Sequence, residues 1–393
     1  MMSMTEGQSR IVIATILPER GPTGVQSHCR ELRMHLEDRR LPVAVVTPFR
    51  EAKALVYPLF AVRRLLDPIS SASSVWWYRH WHAALLRRAL ESELSKPGSV
   101  VVYAQCPLAA WAALKARSSV RQRIVMIVHF NVSQADEWCD KGKISRNGLL
   151  ARRILTLEAD VLPLLDGIVY VSRYMKECLE ARIPRLRRVP NAIIPNFCSG
   201  GATKSEVAAP VDIINVGTLE PRKNQRFLLE ILANARDRGK RYTLALVGDG
   251  PDRAALERQT RELGIEGQVR FFGNRPNAVG LMAGARLYAH AATLENLPLA
   301  IIEAMACGLP ILAPAVGGIS ELIDDGKEGA FWTLADTAGS ADLLIQIMES
   351  PTVRQRMAAA ASERFHSQFA TALVADRLRS FLLGDGSGYP AVR

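Results

Sequence analysis

Residues 293–321 constrain the fold of this chain more than any other stretch. A strand-like run leads into them, and the apolar segment 299–307 has the pattern of a short helix. Gly308 is suited to ending that helix, and residues 309–313 are typical of a second buried strand. Another helix is predicted to begin at Ser320. Strand, helix and strand in this order predict a parallel sheet covered by helices, which is the α/β class.

Two carboxylates flank the N-terminus of the predicted helix. Glu303 is the one charged residue between Asn296 and Ser320. A carboxylate among Ala, Ile and Met is rarely buried without a hydrogen-bond partner, which can be a side chain elsewhere in the fold or a ligand. Glu295 favours a ligand, because it lies in the preceding loop, where the strand's carboxyl end would place a binding site. Helix N-termini attract phosphate, so this pair suits a ligand with hydroxyls and a diphosphate, such as a nucleotide-sugar.

The pattern Glu295-x7-Glu303, with Gly-Leu-Pro at 308–310 and two glycines at 317–318, closely resembles the signature of retaining glycosyltransferase family four, also called glycosyltransferase group 1. The resemblance implies the GT-B fold, in which two Rossmann-like domains face a central cleft. It also implies that Glu295 lies at the donor sugar and that Glu303 accepts hydrogen bonds from the nucleotide ribose. The diphosphate would be held by a turn that comprises Asn296, Leu297, Pro298 and Leu299.

The same resemblance implies further donor-binding residues in the second half. The family commonly has Gly-Arg-x4-Lys after the first strand of its second domain. Here Gly217 and Lys223 match, whereas Thr218 replaces the arginine. Arg222 can substitute for that cation, so both cations would bind the diphosphate; the alternative is a solvated basic corner. The loop from Gly273 to Arg275 corresponds to the nucleobase site.

Two positions in the first half also resemble the family. The loop Gly21–Gly24 precedes a helix and resembles a glycine loop that faces the donor, with Thr23-Gly24 in place of the usual Gly-Gly, so Gly24 is a candidate contact. His129 follows an apolar strand at its carboxyl end. A lone histidine there is commonly structural, but the family has a histidine after the matching strand that contacts the donor sugar.

The length of 393 residues allows two or three domains. We predict an acceptor-side Rossmann-like domain over residues 1–198 and a small, polar linker over 199–210. A nucleotide-sugar-binding Rossmann-like domain is predicted over 211–365. The resemblance implies that a C-terminal helix in 366–393 crosses back to the first domain.

Positive charge is concentrated in the first half. The net charge is +11, and residues 1–200 hold 29 Lys and Arg against 17 Asp and Glu, whereas residues 201–393 hold 21 against 22. This asymmetry favours an acidic partner for the first half, either an anionic lipid surface or an acidic acceptor, over a merely solvated basic surface. No recognisable nucleic-acid-binding module is present, which argues against nucleic acid as the partner.

Residues 51–97 combine three tryptophans with several basic residues: Trp76, Trp77, Trp81, Arg63, Arg64, Arg79, Arg87 and Arg88. This composition fits either an amphipathic segment at a membrane interface or an ordinary helix packed through its Trp and Leu residues. No apolar run reaches the roughly 18 residues that span a bilayer. The chain starts without a secretion leader, and its six cysteines lack paired spacing. We therefore expect a cytoplasmic protein, peripheral on the inner face of the cytoplasmic membrane, that acts on a lipid-linked or glycan acceptor.

The predicted reaction is sugar transfer from a nucleoside-diphosphate-sugar with retention of configuration. Lys223 and Arg222 would stabilise the departing diphosphate, while Glu295 and His129 orient the sugar. No metal-ligand cluster such as Asp-x-Asp occurs, so we predict no metal and no other cofactor. Two further functions stay open: a nucleotide-sugar sensor without turnover, and a glycosyltransferase acting on a soluble small molecule. A sugar-nucleotide epimerase is disfavoured by the Glu-x7-Glu helix.

Overall fold

The computed structural model describes residues 9–21, 23–50, 53–200 and 211–384. Most of the predicted linker, residues 201–210, lies outside the described residues. The chain forms two compact units. The first holds the described residues up to Pro195 together with those from Ala375 onward, and the second is Asn196–Val374.

The first unit is built on a parallel sheet of six strands among the described residues, in the order β2-β1-β3-β4-β5-β6. Its elements are β1 (Arg10–Ala14), α1 (Gly24–Asp38), β2 (Val43–Val46), α2 (Lys53–Leu66), α3 (Ser71–Leu94), β3 (Val100–Ala104), α4 (Pro107–Ala116), β4 (Gln122–Val128), α5 (Gln134–Asp140), α6 (Leu149–Val161), β5 (Gly167–Tyr170), α7 (Arg173–Arg182) and β6 (Asn191–Ile193).

The second unit repeats this plan with strand order β12-β11-β10-β7-β8-β9, again parallel. Its elements are β7 (Val211–Val216), α8 (Gln225–Asp237), β8 (Leu244–Val247), α9 (Arg253–Glu262), β9 (Val269–Gly273), α10 (Ala278–Met282), β10 (Ala285–Ala289), α11 (Leu299–Ala306), β11 (Ile311–Ala313), β12 (Gly329–Phe331), α12 (Thr337–Glu349) and α13 (Pro351–Gln368). The last helix, α14 (Thr371–Leu383), begins in the second unit and continues in the first.

The last two helices do not follow the predicted boundary at residue 365. Helix α13 runs through it, and the division between the two compact units falls inside α14, after Val374. The later part of α14 packs within the first unit, where Arg123 Nη1 donates to the Phe381 carbonyl at 3.0 Å.

Each sheet has a point where the strand order reverses, between β1 and β3 in the first unit and between β7 and β10 in the second. At such a point the loops after the two strands diverge to opposite faces and leave a crevice at the strands' carboxyl ends. The strands themselves are apolar and buried, as in parallel sheets covered on both faces. The predicted α/β class with two Rossmann-like sheets is confirmed.

Residues 317–321 differ from the prediction. A helix was predicted from Ser320, but Gly317–Glu321 forms a short 3-10 turn. The physical reason is that the Gly318 amide donates to the Glu295 carbonyl at 3.1 Å, which ties this segment to the loop after β10. Gly308, with a φ of 64°, follows α11 as predicted.

Helices α2 and α3 form a hairpin in which several of the predicted interfacial residues face inward. Trp77 Nε1 donates to the Leu59 carbonyl at 2.7 Å, and the buried Arg79 donates to Gln134 Oε1 at 2.8 Å. The Arg63 guanidinium lies 4.7 Å above the ring centre of Tyr78. For these residues the alternative of an ordinary packed helix therefore holds. Trp76 remains exposed, at 46%.

No described helix is both long and apolar enough to cross a membrane. The six cysteines are all free thiols.

Candidate functional site

The crevice between β7 and β10 brings together three of the predicted site residues. Gly217 follows β7, and the next residues form one 3-10 turn, Pro221–Lys223. Asn224 then adopts a left-handed conformation, with φ of 52°, that redirects the chain into α8. Glu295 approaches from the loop after β10. Arg222, Lys223 and Glu295 therefore meet where open α/β sheets bind ligands.

The Glu295 carboxylate is surrounded by cationic and polar groups. Its side chain is 8% exposed, and Lys223 Nζ donates to its Oε1. Arg222 Nη1 lies 3.3 Å from Oε2. A third group, His290 Nε2, lies 3.3 Å from Oε1.

These neighbours decide the charge state of Glu295. Burial by itself would raise the pKa of this carboxyl. The charge of Lys223, the contact with His290 and the charge of Arg222 outweigh burial, and they hold the pKa of Glu295 well below its usual range. The site is therefore a buried carboxylate, ionised at neutral pH, whose positive partners are those predicted to bind a diphosphate.

Arg222 also links the two loops of the crevice. Its Nη1 donates to the Leu294 carbonyl at 3.0 Å, and its Nη2 donates to Glu220 Oε1 at 2.9 Å. Its backbone carbonyl accepts from the Thr293 amide at 2.9 Å. The position of the guanidinium is thus fixed by both loops. That Arg222 substitutes for the cation missing at Thr218 stays a prediction.

His290 was not predicted from the sequence. It directly follows β10, it is buried, and its Nδ1 lies 3.3 Å from the Tyr288 hydroxyl. Its carbonyl accepts from Trp332 Nε1 at 3.0 Å. Burial lowers the pKa of His290, so the ring is neutral. The rule that singled out His129, a histidine at the carboxyl end of an apolar strand, applies equally to His290 and would have found it.

Two glycines let backbone segments approach the site closely. A Cβ on Gly317 would lie 1.9 Å from the Glu295 carbonyl oxygen, and one on Gly248 would lie 2.0 Å from that of Gly217. Both have positive φ, of 57° and 134°. No larger side chain fits at either place without moving the loops that hold Glu295 and Lys223.

The start of α11 lies beside the carboxylate. Asn296, Leu297 and Pro298 are buried, and the helix begins at Leu299. The half-buried Glu303 lies on this helix. Burial raises the pKa of the Tyr288 phenol, and the charges of Glu303 and then Glu295 raise it further, so both glutamates lie near that ring.

The predicted nucleobase loop follows β9. The Gly273 carbonyl accepts from the Gly248 amide at 2.9 Å, which joins this loop to the one after β8. Arg275 is exposed, and its Nε donates to the Phe272 carbonyl at 3.2 Å. Its guanidinium therefore lies at the surface of the second unit.

Of the two predicted residues of the first unit, His129 lies at the carboxyl end of β4 and Gly24 at the start of α1. His129 Nε2 is buried and has no hydrogen-bond partner among the described residues. Its ring contacts His28 edge to face, with 4.7 Å between ring centres, and burial lowers the pKa of His129 to about 3. Nearby Val132 has a φ of 51°, a strained value for a β-branched residue that is often found at functional sites. Gly24 is the first residue of α1, whose N-terminus is capped by the Thr23 side chain.

Within the part of the chain that the structure describes, no group of three or more His, Cys, Asp or Glu side chains is arranged to hold a metal ion.

Comparison with known proteins gives two family matches. The family described as "Glycosyl transferases group 1" matches residues 204–364, and the family described as "Glycosyltransferase Family 4" matches residues 22–197. Together the two matches include nearly all of both compact units.

Curated relatives match over part of their length. N-acetyl-alpha-D-glucosaminyl L-malate synthase of Bacillus anthracis is 36% identical over 126 residues, which is 32% of this chain and 33% of the relative. The lipopolysaccharide core biosynthesis glycosyltransferase LpsD of Rhizobium meliloti is 26% identical over 44% of this chain and 50% of its own length. This chain thus matches between a third and a half of the length of these relatives.

Among solved structures, the crystal structure of Anabaena Alr3699/HepE in complex with UDP and glucose superposes with a TM-score of 0.71. The alignment covers 96% of this chain and 100% of that one, at 19% sequence identity. At this identity the likeness concerns the fold.

Proposed function

Because this chain belongs to the glycosyltransferases of the group 1, family 4 type, which have the GT-B fold, we propose that it transfers a sugar from a nucleoside-diphosphate-sugar to an acceptor with retention of configuration. The observation that carries the proposal is the meeting of Lys223, Arg222 and Glu295 at the strand-order reversal of the second sheet. Two fixed cations there suit a diphosphate leaving group, and an ionised carboxylate suits sugar hydroxyls.

The proposed mechanism is electrostatic. As the bond between the sugar and the diphosphate breaks, negative charge grows on the diphosphate, and Lys223 and Arg222 stabilise it. Glu295 accepts hydrogen bonds from the sugar, and Glu303 accepts them from the ribose. The neutral His129 of the first unit, whose Nε2 has no partner among the described residues, orients the sugar. The acceptor attacks from the face that the leaving group vacates, which gives retention without a covalent intermediate.

The first experiment identifies the donor. Thermal unfolding is measured with UDP-, GDP- and ADP-sugars, and the donor that stabilises the protein most is then incubated with candidate acceptors. We expect a glycosylated product whose anomeric configuration, measured by NMR, equals that of the donor. An inverted product would disprove retention. Stabilisation by a nucleotide-sugar without product or donor hydrolysis under any condition would favour the sensor instead.

We further propose that the acceptor is lipid-linked or part of a surface glycan, and that the first unit attaches to an anionic membrane surface. The support comes from four exposed apolar or aromatic side chains in α2, α3 and the loop between them: Tyr57, Leu65, Ile69 and Trp76. Exposed apolar residues on a unit with excess positive charge suit insertion among anionic headgroups. The relative LpsD is described as acting in lipopolysaccharide core biosynthesis.

Vesicle sedimentation tests this attachment. The wild type should sediment with vesicles of anionic lipid, less with neutral lipid, and less as salt rises. Leu65→Glu with Ile69→Glu should abolish sedimentation, because these two are the most exposed of the four side chains, at 70% and 82%. Val120→Glu is the matched control, since Val120 is 92% exposed but lies between α4 and β4. If the wild type ignores anionic vesicles at low salt, the acceptor is a soluble small molecule.

A further inference from the structure

His290 Nε2 is a buried polar atom without a satisfied hydrogen bond among the described residues. Glu295 Oε1 lies 3.3 Å away without a hydrogen bond to this nitrogen, and Lys223 Nζ donates to the same oxygen. A buried N–H next to a buried carboxylate that is bonded elsewhere is a costly arrangement. Lys223 and His290 are therefore two alternative hydrogen-bond donors to the Glu295 carboxylate.

The surroundings decide which nitrogen of His290 carries the proton. The neutral ring has one N–H, and the Glu295 carboxylate can only accept. An unprotonated Nε2 would point its lone pair at that carboxylate, which is repulsive. The proton therefore belongs on Nε2. Nδ1 is then an acceptor 3.3 Å from the Tyr288 hydroxyl, whose single proton it shares with the Val216 carbonyl at 3.4 Å. Tyr288 thus holds His290 ready to donate to Glu295.

We propose that His290 is a positioning residue, which donates a hydrogen bond to Glu295 when Lys223 leaves the carboxylate to bind a nucleoside diphosphate. This inference rests on the proposed function, because it requires that Lys223 binds the diphosphate. Without ligand, Lys223 neutralises Glu295. When the diphosphate binds, Lys223 turns to it, and the buried carboxylate would lose its main partner. His290 Nε2 then donates to Glu295 Oε1, which keeps the carboxylate ionised and oriented.

This exchange of hydrogen-bond partners explains how Lys223 can pair with Glu295 in the free protein and with the diphosphate in the complex. A carboxylate that kept Lys223 would compete with the diphosphate, so binding would have to break a buried ion pair with no compensation. Because His290 is already 3.3 Å from the same oxygen, the carboxylate needs only a small rotation to change partners. Glu295 remains in place for the sugar while Lys223 is released for the leaving group.

A double-mutant cycle of His290 and Glu295 tests the proposal. The dissociation constant is measured by calorimetry with UDP, or with GDP or ADP if one of these binds the wild type more tightly. His290→Leu should weaken binding about tenfold, the size of one hydrogen bond to a charged group. Glu295→Gln should tighten binding several-fold, because Lys223 is released. In the Glu295→Gln background, His290→Leu should change the dissociation constant less than about twofold. His290→Gln, which keeps a donor, should restore most of the affinity.

The cycle separates positioning from a general structural role. If His290 only supported the fold, His290→Leu would weaken UDP binding equally in both backgrounds, and that result would overturn the proposal, as would an unchanged affinity. If His290→Leu does not fold, Tyr288→Phe replaces it in the cycle. Its loss of affinity should be smaller, and it should again occur in the wild-type background and vanish in the Glu295→Gln background. Should none of the three nucleoside diphosphates bind the wild type, the proposed function itself fails and this inference with it.

Discussion

Replacing Lys223 by methionine, which has nearly the same length and no charge, separates the two tasks assigned to this lysine. The Lys223 side chain is 18% exposed and that of Glu295 is 8% exposed, so their ion pair is largely shielded from water. Removing one partner of a buried pair typically costs about 3–5 kcal/mol. Arg222 and His290 remain at 3.3 Å from the carboxylate. We therefore expect Lys223→Met to lower the free energy of unfolding of the second unit by about 2 kcal/mol.

The effect on ligand binding follows from the same contacts. A hydrogen bond to a charged group contributes about 1.5–3 kcal/mol. The wild type must first break the Lys223–Glu295 pair, so the net loss falls at the lower end. We expect the dissociation constant of the nucleoside diphosphate to rise about tenfold. Turnover should fall further, because the charge on the leaving group is greatest in the transition state.

Denaturant unfolding and titration calorimetry on the same preparations measure both effects. Arg226→Met is the matched control. The Arg226 side chain is 70% exposed on α8, and its ion pair is long, with 3.7 Å between its Nε and Glu230 Oε1. The substitution should change the free energy of unfolding by less than about 0.5 kcal/mol. The double variant Lys223→Met with Glu295→Gln should recover most of the lost stability but none of the lost turnover. The reasoning is refuted if Lys223→Met unfolds like the wild type, or if it binds the diphosphate equally well.

Three further predictions concern other parts of the site. Glu303→Gln should weaken donor binding by on the order of 1–3 kcal/mol while the unfolding transition persists; equal affinity in the folded variant would reject the ribose contact. Transfer activity should survive EDTA, and a preparation silenced by chelation and revived by magnesium or manganese would contradict a diphosphate held by protein cations. The pKa of His129 is about 3 in the fold and about 6.5 in the unfolded chain. Below pH 6.5 the unfolded state therefore binds the extra proton, and stability falls by about 1.4 kcal/mol per pH unit as the pH drops toward 3. His129→Gln should reduce the slope by that amount, as measured by urea unfolding at about pH 7.5 and about pH 5. The contributions of His28, His82 and His290, whose pKa values burial also lowers, should remain.

The sequence predicts the fold well because each strand is a short apolar run between turn residues. β10 and β11 show why: both are buried on two faces of a parallel sheet, so their composition does not depend on distant contacts. The proximity of Lys223 and Glu295 also follows from the sequence, since each lies in a loop after the carboxyl end of a parallel strand, and these ends lie on the same side of the sheet. Their direct ion pair does not, because side-chain distances depend on packing.

The region around residues 51–97 shows where sequence reasoning fails. Three tryptophans within six residues indicate an interface, but only the tertiary packing decides which of them faces solvent. Trp77 donates a hydrogen bond to the Leu59 carbonyl and Arg79 donates one to Gln134, so both side chains pack against the protein. Trp76 is exposed to solvent. His290 escapes prediction for a different reason. It follows an apolar strand, as His129 does, but the sequence pattern extends that strand past His290, so the histidine does not stand out at its carboxyl end.

The close approach of Gly317 to the Glu295 carbonyl and of Gly248 to Gly217 has a consequence for saturation mutagenesis of this chain. At each position even alanine would collide with a backbone oxygen. Both glycines should therefore tolerate substitution as poorly as Lys223, although neither offers a functional group to a substrate. A map of mutational sensitivity would outline the crevice in full, but it would not distinguish the residues that perform chemistry from those that leave room for it.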